Sequence, residues 1–202
     1  MKYNSIPILE KTLEDIIYDL ICYEDEYGIN MAKEKGFSFL TEKYSFNANR
    51  QVKICVFGIA DIILFNKPTG KYKVSFSILE LKKDEINLST YEQAFGYVSG
   101  LIKYYKEVEK LKYNEIDWNI ILIGNIVTPS LFVSISNNSR LSAYVYTFNS
   151  VTGLTLEKVT TILNDEQAFL VHSGNINMTD NPYLSIEYLN KTLKTYEEET
   201  KS

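Results

Sequence analysis

From Phe57 to Phe65 the chain is apolar apart from glycine and one charge, Asp61, and the run from Val52 onward is rich in β-branched and aromatic residues. Such a stretch predicts a buried strand over Val52–Phe65. An unpaired carboxylate is costly inside a buried strand, so the surroundings of Asp61 must compensate its charge. The next segment, Lys67-Pro68-Thr69-Gly70, is a turn signal, and Tyr72 to Lys82 again reads as a strand. The two runs are therefore expected to pair as an antiparallel hairpin. Along the second strand Glu80 and Lys82 share one face, while Leu79 and Leu81 take the other. Pairing brings Asp61 to the same surface, so two carboxylates and a lysine converge.

The flanking sequence predicts an α/β domain. Ile8, Leu9, Leu13, Ile16, Ile17, Leu20 and Ile21 recur at helical spacing and predict a first helix from Ile6 to about Tyr27, with a break at Gly28. Phe37 to Phe46 reads as extended. Thr90 to Tyr113 carries Ala94, Tyr97, Val98, Leu101, Ile102, Tyr105 and Val108 on one face, with Ser89 or Thr90 as the cap. Gly96 and Gly100 on this helix allow close packing on a sheet. Asn119 to Val127 is a short apolar strand, which makes strand, helix and strand a parallel crossover. Leu131–Ser136 reads as strand or helix, Leu141–Phe148 and Leu154–Val159 as strands, and Thr179–Thr195 as a terminal helix before a charged tail. The 202 residues are expected to form one domain, with a core over about 9–160 and a C-terminal extension over 161–202.

Composition narrows the function. Twenty-one basic against 26 acidic residues leave a net charge of −5, so contact with a polyanion must be a local patch. Two cysteines and one histidine are too few for a disulfide scaffold or a Cys/His zinc site, and Cys22 and Cys55 are expected to be reduced thiols lining the core. No apolar run approaches the ~20 residues of a membrane helix, and the cytoplasm is the expected location. The chain contains no nucleophile elbow, Walker loop or dinucleotide fingerprint. His172 has no Cys or Asp partner nearby in sequence, which favours a structural or exposed role.

Two carboxylates with a lysine suit a hard divalent cation and an activated water, because Mg²⁺ takes oxygen ligands and retains several waters. Gly58-Ile59-Ala60-Asp61-Ile62-Ile63 followed by Ile78-Leu79-Glu80-Leu81-Lys82, with the acids 19 positions apart, resembles the PD-(D/E)XK nuclease superfamily. Gln93 and Tyr97 on the following helix extend the likeness, as does Glu14 on the first helix. The leading proline of the superfamily motif is absent. The resemblance implies a restriction-endonuclease-like core, a central mixed sheet flanked by helices, acting as a metal-dependent nuclease on DNA. It implies that Asp61, Glu80 and the Leu81 carbonyl hold Mg²⁺, with Mn²⁺ as substitute, and that Glu14 completes a second shell or a second metal site. Lys82 would serve the attacking water by orienting it, deprotonating it or offsetting charge. Gln93 and Tyr97 would position active-site groups or a phosphate. A homodimer or a larger assembly would supply specificity.

Each residue also has a plainer reading. Glu-x-Lys recurs in the tail at Glu199-Thr200-Lys201, so Glu80 and Lys82 alone would mark only a surface ion pair. Glu10, Glu14 and Asp15 share a helix that needs a polar face, and solvation is the simplest account of Glu14. Lys103 and Lys106, with Lys83 nearer the hairpin, are candidates for a phosphate backbone, though interleaved Glu107 and Glu109 equally describe a solvated face. The alternative functions are a catalytically inactive module of the same fold that binds nucleic acid or a protein, and an acidic interaction or inhibitor protein.

Overall fold

A six-stranded mixed sheet organises the computed structural model, which describes residues 8–22, 26–40, 47–164 and 167–171. The chain opens with helices α1 (Glu10–Cys22) and α2 (Glu26–Glu34), then strands β1 (Asn47–Ile54), β2 (Gly58–Asn66), β3 (Val74–Leu81) and the short β4 (Glu85–Ile86). Helix α3 (Leu88–Glu107) crosses to β5 (Ile116–Gly124) and the short β6 (Ile126–Val127). Helix α4 (Pro129–Asn137) leads to β7 (Leu141–Asn149), β8 (Gly153–Lys158), β9 (Thr160–Asn164) and β10 (Gln167–Val171).

The sheet order is β1-β2-β3-β5-β7-β8. Its first three strands are antiparallel, β3, β5 and β7 are mutually parallel, and β8 returns antiparallel at the far edge. The expected hairpin is β2–β3, with Ile62 opposite Leu79 and Phe65 opposite Phe76. The expected parallel crossover is β3–α3–β5, with Glu80 beside Leu122.

Period-two alternation distributes the sheet between two cores. On one face Phe76, Ile78, Ile120 and Leu122 pack against Ala94, Tyr97 and Val98 of α3. On the other Ile62, Leu64, Leu79 and Leu81 pack against Leu13, Ile17 and Ile21 of α1. Each such aliphatic side chain contributes about 1.5–3 kcal/mol by leaving water. The result is a central mixed sheet flanked by helices, the layering expected from the sequence.

Several expectations need correction. The Val52–Phe65 run is not one strand: β1 begins at Asn47, and the chain reverses through a helical turn at Cys55–Phe57 into β2. Cys55, with φ of 44°, and Cys22, the last residue of α1, are both exposed rather than core-lining. Gly28 lies inside α2 instead of breaking a helix, and Ala32 of α2 is buried. Phe37–Leu40 form a turn, not a strand, because the preceding residues are pressed against β8. There the Leu156 amide donates to the Lys35 carbonyl at 2.7 Å, and a Cβ on Gly36 would collide with Leu156 backbone. Helix α3 starts at Leu88 with Asn87 as its cap; Thr90 is the third residue of a capping box, and the helix ends at Glu107. Leu131–Ser136 falls in helix α4. Residues 41–46, His172, the proposed 179–195 helix and the tail lie outside the described residues. Among the described residues no helix is long and apolar enough to cross a membrane.

Candidate functional site

The β2–β3 ladder ends at the Ile62–Leu79 pair, and one step further along the register Asp61 faces Glu80. There a side chain takes over from the backbone, since the Leu81 amide donates to Asp61 Oδ2 at 2.8 Å. Glu80 follows Phe76 and Ile78 onto the face covered by α3, and only 1% of it is exposed. Its Oε1 accepts from Lys82 Nζ at 2.7 Å, whereas its Oε2 is buried with no hydrogen-bond partner. Alternation along one strand thus places Lys82 on the face of Glu80, and the antiparallel register adds Asp61.

Electrostatics follow from this burial. Desolvation pushes the Glu80 carboxyl up to about 7; the charge of Asp61 adds to the rise and the Lys82 hydrogen bond opposes it. Asp61 is also raised above the usual carboxylate range, by burial first, against the Leu81 amide and Lys82. Burial alone would lower Lys82, but the hydrogen bond and charge of Glu80, with Glu10 and Asp61, hold it above the ordinary lysine value. Lys82 is therefore a firmly charged ammonium set between two acids that are hard to ionise together.

Helix α3 contributes Gln93 and Tyr97 one turn apart. Gln93 Nε2 donates to the Tyr97 hydroxyl at 2.7 Å. Burial raises Tyr97, with Glu80 and Asp61 adding to the rise, so the phenol stays neutral and lies within electrostatic reach of both acids. The ring is packed over Gly58, where a Cβ would stand 3.2 Å from Cε1 and 3.3 Å from the hydroxyl.

Glu14 is not solvated. It is 5% exposed on α1, accepts from Gln51 Nε2 at 2.7 Å through Oε2, and buries Oε1 with no partner. Its charge, with that of Glu10, raises Asp61, and Glu10 also accepts from the Lys83 amide at 3.3 Å. Gln51, Gly58 and Glu10 were not singled out as site residues from sequence. Gly58 carries a signal, as the one glycine between two apolar runs, whereas a glutamine in an edge strand carries none.

The lysine candidates are less concentrated. Lys83 is exposed just beyond β3 and lies 3.6 Å from Asp84. Lys103 and Lys106 are exposed on α3, about 9 and 14 Å along the helix axis from Tyr97, and so stand apart from the acids. Among the described residues no group of three or more His, Cys, Asp or Glu side chains is gathered closely enough to hold a metal ion. The donor set near the hairpin is two carboxylates and backbone. It suits a cation that keeps much of its water, as Mg²⁺ does. The buried, unpartnered oxygen of Glu80 beside a second carboxylate is the feature that such a cation would satisfy.

No family model matches the sequence, and no curated protein matches it. Among solved structures it is similar to a repair endonuclease from Pyrococcus abyssi, at 20% identity and a TM-score of 0.37. The likeness covers 60% of this chain and 46% of that one, so the chain spans less than half the length of that endonuclease. At this distance, what the site can do is read from its own geometry.

Proposed function

We propose that the protein is a metal-dependent nuclease that hydrolyses phosphodiester bonds in DNA at Asp61, Glu80 and Lys82. The observation that carries this reading is Glu80, buried beside Asp61 and Lys82 with one carboxylate oxygen free of any hydrogen-bond partner. Asp61, Glu80 and the Leu81 carbonyl would hold the cation. Mg²⁺, or Mn²⁺ in its place, supplies two effects when bound by such a set: it acidifies water and neutralises negative charge on a phosphate. In the reaction a water oxygen would bond to phosphorus in line as the P–O3′ bond breaks; the water gives up one proton to bulk solvent and the departing O3′ takes one from it, which leaves a 5′-phosphate and a 3′-hydroxyl. Lys82 is held protonated by Glu80, so its part is to donate a hydrogen bond to the water or phosphate and offset the growing negative charge, not to act as the base. Tyr97, neutral and anchored by Gln93, would orient a phosphate oxygen.

The 2.7 Å Glu80–Lys82 contact is also what a purely structural ion pair looks like, and it favours one other reading: a module of the same fold that binds nucleic acid or a protein without cutting. Single-stranded and duplex DNA and RNA, incubated with Mg²⁺, Mn²⁺ or chelator, distinguish the two. Metal-dependent cleavage is expected, and Asp61→Asn, Glu80→Gln and Lys82→Ala should each lower it about 10²–10⁴-fold. Binding without cleavage in the wild type, or cleavage that survives Glu80→Gln, would overturn the nuclease reading.

A further inference from the structure

Among the described residues three non-glycines have positive φ: Gln51, Cys55 and Lys110. Cys55 and Lys110 lie where the chain turns, after β1 and after α3. Gln51 lies inside β1, with φ of 53°. Extended backbone is the ordinary state of a strand, and a left-handed residue within one is retained only where the surroundings compensate it. The departure has a definite address. Arg50 faces Ile62 and Val52 faces Ala60, and the pair between them, Gln51 with Asp61, is missing from an otherwise continuous ladder.

The compensation is found at the side chain. Gln51 is itself exposed, so core packing does not explain its backbone. Its Nε2 reaches inward and donates to Oε2 of the buried Glu14 at 2.7 Å, which leaves Glu14 Oε1 buried and without a partner. Gln51 stands opposite Asp61, between the Arg50–Ile62 and Val52–Ala60 pairs, so the Glu14 carboxylate that it holds at 2.7 Å lies at the Asp61 end of β2, and its charge raises Asp61. A carboxylate held by one oxygen and open at the other is how outer partners orient groups around a metal.

We propose that Gln51 is a positioning residue, whose left-handed backbone aims its amide at Glu14 and so fixes an open carboxylate oxygen beside Asp61 for a hydrated divalent cation. The inference rests on the reading of Asp61 and Glu80 as cation ligands. Gln51 touches neither the cation nor the substrate and acts through Glu14.

The test is a double-mutant cycle on the full chain, with Mn²⁺ affinity read directly from the electron paramagnetic resonance signal of free Mn²⁺. Gln51→Gly keeps the backbone conformation and deletes the amide; Gln51→Asn tolerates the conformation but is one methylene too short to span the present contact. Each should weaken Mn²⁺ binding about 10- to 100-fold. In a Glu14→Gln background the Gln51→Gly change should cause no further loss, because the partner it orients is gone. Unchanged Mn²⁺ affinity in folded Gln51→Gly and Gln51→Asn, or losses that multiply independently of Glu14, would refute the role of Gln51 while leaving the cation site intact. A wild type that binds no Mn²⁺ would remove the cation reading, and this inference with it.

Discussion

Glu80 is held where its charged form is poorly solvated and faces a second carboxylate, which raises its pKa to about 7. Because the folded value lies above the unfolded one, near 4.5, the stability contributed by this group is fully present below pH ~4.5 and is lost as pH rises through about 7. The loss amounts to about 3 kcal/mol across that window. Glu80→Gln keeps the shape and removes the titration. Urea unfolding in chelator should show this variant gaining on the wild type by about 3 kcal/mol between about pH 4 and pH 8; a difference that stays flat with pH would mean that Glu80 is not held as described. At this scale Asp61, Glu80 and Lys82 were legible in the sequence, because strand alternation and one hairpin turn suffice to place them. Glu14 was not: whether a helical carboxylate is solvated or buried depends on what packs over it, and its partner Gln51 is 37 positions away.

The β1–β2 connection was misread for a physical reason. Its turn, Cys55-Val56-Phe57, contains none of the Pro, Asn or Asp residues that usually mark a reversal, and Val56 is 92% exposed, so an apolar run continues straight through a solvent-facing turn. Gly58 is what permits it, with φ of 115° and the Tyr97 ring against its Cα. By contrast β2–β3 was legible through Lys67-Pro68-Thr69-Gly70, and α3 through its apolar periodicity. Gly58 and Gly70 separate two costs. At Gly70, with φ of 61° and open space around it, alanine meets only backbone strain, about 1 kcal/mol. At Gly58 the same change adds a clash with a buried ring that Gln93 anchors, and it should cost about 2–4 kcal/mol. Parallel denaturant titrations of Gly58→Ala and Gly70→Ala check this, and equal losses would show that Tyr97 yields freely. Gly58→Ala should also lower any nuclease activity, since Tyr97 moves with it, and Gly70→Ala, at the opposite end of the hairpin, should not.

Among the described residues the two sheet faces bury most of their apolar side chains, and two of the three buried oxygens without a partner lie toward the Asp61 end of the β2–β3 hairpin. Two of the three buried side-chain oxygens without a partner among the described residues, Glu14 Oε1 and Glu80 Oε2, belong to acids whose charges act on Asp61 or feel its own; the third is Asn66 Oδ1, toward the hairpin turn. A fold selected only for stability would replace such acids with neutral groups, because isolated like charges in a poorly polarisable interior repel one another and lose hydration. On the proposed function a divalent cation would reverse that balance: bound only by the folded arrangement, it would shift the unfolding equilibrium by mass action. The thermal midpoint of the wild type should therefore rise with Ca²⁺, which supports binding without requiring catalysis, and saturate as a single-site curve. At a concentration 100 times the dissociation constant the gain should be about 2.7 kcal/mol. Asp61→Asn and Glu80→Gln should melt higher than the wild type in chelator at about pH 8, above the value of about 7 at which Glu80 titrates, and should be indifferent to Ca²⁺. A protein that keeps these acids only as structural ion pairs gives the opposite pattern: no response to Ca²⁺ in the wild type, and a loss of stability in both variants because Lys82 and the Leu81 amide lose charged partners.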